Sequence, residues 1–402
     1  MVGTIVFLFD RPLVERDTGR YGFEYLKSQG FEVYAYDLSL LVNKDAALRQ
    51  DDAAVAKDHI VNIRSYEEFD KNVRRLAGRA VFIDYLVGLS RIDLRNERVF
   101  RILKKHGAKY AVISAGALPL SGVSHRSGIQ KAKRALNPGA LLNFIAKKAI
   151  FFLSRHRLIY PLPAIIFSGE TLQLKMYLES RSMQKVSVVV PIHSLDHDTY
   201  LHYIRGMGNR MPEPDNTCVF LDEAATHHPD FAFFGIRPLV SDDYFQMMRL
   251  LFDTIEKKTG LKVIVAAHPR SQYEDMSGIF GARPVVKDRT AELVAKSSLV
   301  LAHSSTSISF AVLSNKPLLF IKTPGMRSNG TAGFVDTMAA SLGLESYGID
   351  STESFEKIPL DYSRWVNAGY DDYKYKYIKS KGLGDVTVWE AVAGYFKKHG
   401  LN

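Results

Sequence analysis

Residues 298–321, SLVLAHSSTSISFAVLSNKPLLFI, pack an apolar strand, a hydroxyl-rich turn, a helical stretch and a second apolar strand into one short segment. Both apolar runs are too short and too continuous for an amphipathic helix and read as strands buried on two faces. A strand, helix and strand in this order predict a parallel βαβ unit. A helix starting at Ser304 or Ser305 would offer unpaired N–H groups and the positive end of its dipole to an anion. Ser304, Ser305 and Thr306 would add hydroxyl donors, which makes them candidate phosphate ligands. A serine acting only as the N-cap satisfies the same pattern.

Upstream, LKVIVAAHPRS at 261–271 reads as another strand that runs into His268, Pro269 and Arg270. An imidazole N–H could bond a phosphate oxygen or the oxygen that leaves with it, Arg270 could add a planar donor pair, and Pro269 would set the turn. A plain strand-to-loop junction reads the same way. VFLDEAATHHPDF at 219–231 places Asp222 and Glu223 at the end of an earlier strand, as candidate bases or as capping and ion-pairing groups. His227 and His228 are adjacent, so their side chains diverge, and no metal site is expected.

The alternation extends in both directions. TIVFLFD, FEVYAYDL, RAVFIDYL, KYAVISAG, AIIFSG and VSVVVPIHS read as strands, with GRYGFEYLKSQG as one helix closed by Gly30 and NERVFRILKKHG as another. After RGMGNRMPEPDN the pattern begins again with TCVFLDEA, a long helix around DDYFQMMRLLFDTIEKKTG, and the segments above. The expected fold is α/β, two Rossmann-like doubly wound domains facing a cleft. Residues 1–210 would form the first, 211–385 the second, and 386–402 a helix crossing back to the first. The boundary is expected between Arg205 and Asn216, where Gly and Pro concentrate. Loops at the carboxyl ends of the first domain's strands bring Asp10, Glu15, Asp17, Asp196 and Asp198 forward as acceptor-side candidates. For the last two, capping of a helix starting near Thr199 is the default reading.

The net charge of +10 is local, because 98–169 holds no Asp or Glu but 13 Lys and Arg. Within it NPGALLNFIAKKAIFFLSRHRLIYPLP reads as an amphipathic helix with Lys147, Lys148 and Arg155 on its polar face, suited to an anionic membrane surface or to packing on the first sheet. No zinc-finger, RNA-recognition or helix-turn-helix signature accompanies the charge, so nucleic acid is not expected as partner. Cys218 is the only cysteine, which excludes an intrachain disulfide and fits a reducing compartment. MVGTIVFLFD lacks the basic start and cleavage site of a signal peptide and reads as the first strand; no apolar run is long enough to span a bilayer.

Two Rossmann-like halves, His268-Pro269 after one strand and Ser304-Ser305 after a later one resemble the bacterial GT-B glycosyltransferases that use CMP-activated acidic sugars. These are the sialyltransferases and polysialyltransferases, and more distantly the capsule Kdo transferases. The likeness is strongest from Cys218 to Ile321. It implies that His268, Pro269, Ser304 and Ser305 contact a CMP donor and that an acidic motif, Asp222-Glu223, supplies the base. That motif commonly ends in Gly in the family, where this chain has Ala224. Chain length, the basic region and the absence of any export signal suit a cytoplasmic enzyme of surface polysaccharide synthesis, peripheral on the inner face of the membrane. It would transfer a nonulosonic acid from its CMP form to a sugar hydroxyl of an oligosaccharide or lipid-linked glycan with inversion, and would require no cofactor or metal. A UDP- or GDP-sugar transferase, a CDP-polyol phosphotransferase, a UDP-sugar epimerase and a non-catalytic scaffold of polysaccharide assembly fit the same residues.

Overall fold

The computed structural model describes residues 3–43, 57–86, 94–116, 119, 162–169, 174, 178, 188–228, 231, 236–273, 278–358 and 369–400. Lys147, Lys148 and Arg155, and with them the expected membrane-surface helix, lie outside these residues. Among the described residues no helix is long and apolar enough to cross a membrane.

The strands are β1 (Thr4–Phe9), β2 (Glu32–Asp37), β3 (Ile60–Asn62), β4 (Ala80–Tyr85), β5 (Lys109–Ser114), β6 (Ile165–Ser168), β7 (Val189–Pro191), β8 (Thr217–Leu221), β9 (Lys262–Ala266), β10 (Val285–Val286), β11 (Leu299–Ala302), β12 (Leu318–Lys322) and β13 (Ser346–Gly348). They form two wholly parallel sheets, in the orders β3-β2-β1-β4-β5-β6-β7 and β10-β9-β8-β11-β12-β13. In each, the order reverses beside the first strand, between β1 and β4 and between β8 and β11, as in a doubly wound Rossmann sheet. Two compact units follow the sheets: one holds β1–β7 and the chain from Lys379, the other Asp196 to Ile378. The unit boundary therefore precedes the Gly/Pro-rich 205–216 stretch. That stretch belongs to the second unit, where Asp215 N–H donates to the Lys296 carbonyl at 2.6 Å.

Period-two alternation explains why the first sheet needs helices on both faces. Val6, Leu8 and Phe82 pack with Phe69, Val73, Phe100 and Leu103 of the helices Tyr66–Leu76 and Leu94–Lys105. Ile5, Phe7 and Phe9 face the opposite way, onto Phe23, Leu26 and the carboxyl-terminal helix Val388–His399. That helix opens with a capping box between Thr387 and Glu390 and buries Val388, Trp389, Val392 and Phe396, each contributing roughly 1.5–3 kcal/mol.

Trp389 also corrects the single helix expected across residues 19–30. The chain forms two short helices, Glu15–Arg20 and Phe23–Ser28, separated at Tyr21 and Gly22. Gly22 has φ +59°, and a Cβ there would lie 2.3 Å from the Trp389 ring, so the approach requires glycine. The indole Nε1–H donates to the Arg20 carbonyl at 2.9 Å, satisfying a carbonyl of the interrupted helix.

In the second unit the helix Ser241–Thr259 buries Tyr244, Phe245, Met248, Leu251, Phe252 and Ile255 along one stripe. Gly260 at φ +73° ends it, with Asp242 and Asp243 in the first turn and Lys257 and Lys258 in the last, matching the dipole.

Candidate functional site

Strand register brings the motifs of the second unit to one level. Leu221, the last residue of β8, pairs with Ala266 of β9 and with Ala302 of β11. Asp222, His268 and Ser304 therefore emerge at the carboxyl ends of three neighbouring strands, at the point where strand order reverses. That is where open α/β sheets bind ligands.

Asp222 is 3% exposed. Its Oδ2 accepts from the His268 backbone N–H at 3.1 Å, and the Tyr273 hydroxyl donates across both oxygens at 3.0 and 3.1 Å. Burial pushes its pKa up to about 6 despite these bonds. Glu223, half-buried, accepts from both the backbone N–H and the hydroxyl of Ser304, the latter at 3.2 Å. Burial again dominates, joined by the charge of Asp222, and pushes Glu223 up to about 7 against the Ser304 bonds. One carboxylate thus holds the loop after β9 and the other the loop after β11. Ala224, next in line, has φ +50°, the left-handed conformation that glycine favours. The backbone keeps this shape although the residue is Ala.

Residues 268–271 form a turn in which Ser271 N–H donates to the His268 carbonyl at 2.8 Å, with Pro269 at the corner where a preset φ helps most. Within it, His268 Nδ1 accepts from the Arg270 backbone N–H at 3.1 Å. The neutral ring therefore carries its proton on Nε2 and can present it as a donor. Arg270 is exposed. The His228 ring meets His268 edge-on at 4.7 Å and His227 packs on Tyr273 at 5.3 Å. His227 Nε2 accepts from Gln272 N–H at 3.3 Å. The adjacent histidines thus serve the loop, and no metal-holding cluster of His, Cys, Asp and Glu occurs among the described residues.

The Ser304 loop differs from expectation. The helix begins at Ile308, not at Ser304 or Ser305, and runs only to Leu313. Ser305 is nearly buried and its hydroxyl accepts from Ser307 N–H at 3.3 Å, while Thr306 is exposed. The candidate anion donors are therefore the N–H and hydroxyl of Ser304 rather than a helix terminus. Beneath them His303 is fully buried: Nδ1–H donates to the Ile321 carbonyl at 2.7 Å and Nε2 accepts from the Tyr244 hydroxyl at 3.1 Å. Burial pushes His303 down to about 4, so it is a neutral support. Tyr244, Tyr273 and His303 were not singled out in the sequence. Their signal is a polar tip on a ring inside an apolar pattern, which must find a partner once buried.

In the first unit Asp10 stands half-buried just beyond β1, and the Glu15 side chain lies outside the described residues. Asp17 is corrected from acceptor-side candidate to structural partner of Arg11. It is fully buried, and Arg11 grips it with a fork at 2.8 and 3.0 Å while Val14 N–H donates at 3.1 Å. Burial opposes the Arg11 charge, yet Asp17 outweighs it and holds the guanidinium pKa above its ordinary value. Asp196 and Asp198, expected in the first domain, fall in the second unit, in the first turn of the helix Leu195–Gly206, where carboxylates favour the dipole, and Asp198 is buried. Just before them, buried His193 donates from Nε2 to the Gly384 carbonyl at 2.8 Å and accepts at Nδ1 from Ser380 N–H at 3.0 Å. It ties the carboxyl-terminal segment to the end of β7.

No family model and no curated protein matches the chain. Solved structures do. Wall teichoic acid polymerase TagF is 14% identical over 100% of this chain and 90% of its own, with a TM-score of 0.51. The H548A form of TagF gives 12%, 98%, 89% and 0.52. UDP-GlcNAc 2-epimerase from Methanocaldococcus jannaschii gives 10%, 99%, 100% and 0.47. At such identity the TagF likeness is one of fold: this chain has two Rossmann-like α/β domains of the GT-B type.

Proposed function

We propose that the chain is a glycosyltransferase whose second unit binds a nucleotide-activated sugar, and that the donor is a CMP-nonulosonic acid. The observation that carries this is the convergence of His268 and Ser304 at the strand-order reversal, each loop held by its own carboxylate of the Asp222-Glu223 pair. The His268 imidazole and the Ser304 N–H and hydroxyl would bond the donor's phosphate and stabilise charge as it departs. An acceptor hydroxyl oxygen would attack the anomeric carbon, the bond from that carbon to the phosphate oxygen would break, and CMP would leave. The acceptor's proton would pass to solvent, because Asp222 is buried with both oxygens engaged and Glu223, while ionised, holds both Ser304 donors. We assign both to positioning. A second reading, transfer from a CDP-linked polyol, draws support from the fold of TagF, a wall teichoic acid polymerase that was also solved with CDPG.

The test is a thermal-shift titration at pH 6.5 with CMP, CDP, UDP and GDP. A nucleotide at one hundred times its Kd should stabilise the native chain by about 2.7 kcal/mol. Stabilisation by CMP that is lost in His268→Ala and in Ser304→Ala/Ser305→Ala is the expected result. A response confined to UDP or GDP would overturn the CMP assignment, and silence with all four would overturn the transferase reading.

A further inference from the structure

The two donors that Ser304 offers to an anion are already taken. Glu223 receives the Ser304 N–H on one oxygen and the Ser304 hydroxyl on the other, the two-donor pattern in which a phosphate would be held. We propose that Glu223 is a proton-linked stand-in for the ligand's phosphate: ionised, it occupies the Ser304 donors, and on taking up one proton it yields them to the phosphate. The proposal rests on the nucleotide reading above.

The groups around Glu223 explain why a proton is the required counterpart. Asp222 lies beside it on the same loop and adds negative charge. Tyr244, from the helix Ser241–Thr259, feels the charge of both carboxylates and is held neutral by burial, its pKa far above the ordinary value. His303, at the end of β11, is neutral because burial pushes it down to about 4. The loop after β9 reaches the pair through the His268 backbone N–H and the Tyr273 phenol, both bound to Asp222. These neighbours are neutral or negative, so an incoming phosphate would meet an ionised carboxylate in a partly desolvated site. Protonation removes the repulsion and changes the chemistry of the group. An ionised carboxyl only accepts, whereas a protonated one also donates and could add an O–H to the phosphate. Burial has already brought Glu223 up to about 7, so one proton from solvent suffices near neutral pH.

Calorimetric titration tests this with the methyl ester of CMP, whose phosphodiester keeps one negative charge and takes up or releases no proton near neutrality. Titrations run between pH 6 and 8.5, in two buffers of unlike ionisation enthalpy. The wild type should take up close to one proton per nucleotide at pH 8 and lose affinity about tenfold between pH 7.5 and 8.5. Glu223→Gln, which mimics the protonated form, should bind with a flat pH profile and no proton uptake. The wild-type proton count stands without the variant, so a poorly folded variant does not leave the question open. Binding without proton uptake, or an equal pH dependence in wild type and Glu223→Gln, overturns the inference and leaves the nucleotide reading intact. If CMP gave no stabilisation in the thermal-shift titration and the ester does not bind either, both fall together.

Discussion

After β1, Arg11 grips the buried Asp17 with a fork; after β8, Asp222 and Glu223 are held by a backbone N–H, a phenol and a serine. Both loops leave the first strand of a doubly wound sheet beside its strand-order reversal. The first is closed by opposite charges, and Arg11 stays protonated at any workable pH. The second is closed by neutral donors, which lower the pKa values of its carboxylates less than burial raises them, so they are pushed up to about 6 and about 7 and titrate near neutral pH. An ion pair makes a permanent loop. Carboxylates held by neutral donors make one whose charge depends on pH.

The largest effect should come from breaking the ion pair. Arg11→Ala leaves Asp17 buried and uncompensated and should cost about 3 kcal/mol, the low end for such pairs because Arg11 is 31% exposed. Urea unfolding at pH 7.5 should show this loss; a loss under about 1 kcal/mol would mean that the fork is not holding the loop.

The second loop should answer to pH instead. The native pKa values of Asp222 and Glu223 lie above the unfolded values of about 3.9 and 4.3. The native state therefore binds more protons between about pH 4 and 7. The stability from these groups is fully present below about pH 4 and is lost as pH rises through 6 and 7. Comparing urea unfolding at pH 5 and 7.5, Glu223→Gln should remove on the order of 2 kcal/mol of that decline, after discounting for partial exposure. An unchanged slope would make the loop as pH-independent as its counterpart after β1.

The smallest effect concerns Ala224. Glycine would relieve its left-handed backbone but would lose a buried methyl and some entropy, so Ala224→Gly should change stability by less than about 0.5 kcal/mol. Ala302→Gly in β11, without that relief, should cost about 1 kcal/mol or more. Equal costs would show that the backbone after β8 carries no strain.

The long interior strands were legible because each is a continuous apolar run closed by a turn residue. Of the edges, β3, β10 and β13 were not: they are two or three residues long with no fully buried position and lie in no longer apolar run, unlike β7, which is as short but sits within VSVVVPI. The candidate site was legible in its residue types, since His268, Ser304, Asp222 and Glu223 all stand just past a strand. Their roles were not, because Asp17 and Asp222 look equally like free acids in a sequence and differ only in what lies across from them.

By itself the sequence determined the βα alternation, the parallel sheets and the strand ends that carry polar residues, since these follow from local periodicity and turn chemistry. Only tertiary structure decided that Trp389 splits a helix at Gly22, that Arg11 consumes Asp17, and that Glu223 lies across from Ser304. The last pair is 81 residues apart. The physical reason is that desolvation and hydrogen bonding act between groups that only the folded chain brings together, and those contacts set which carboxylate is fixed and which can still titrate.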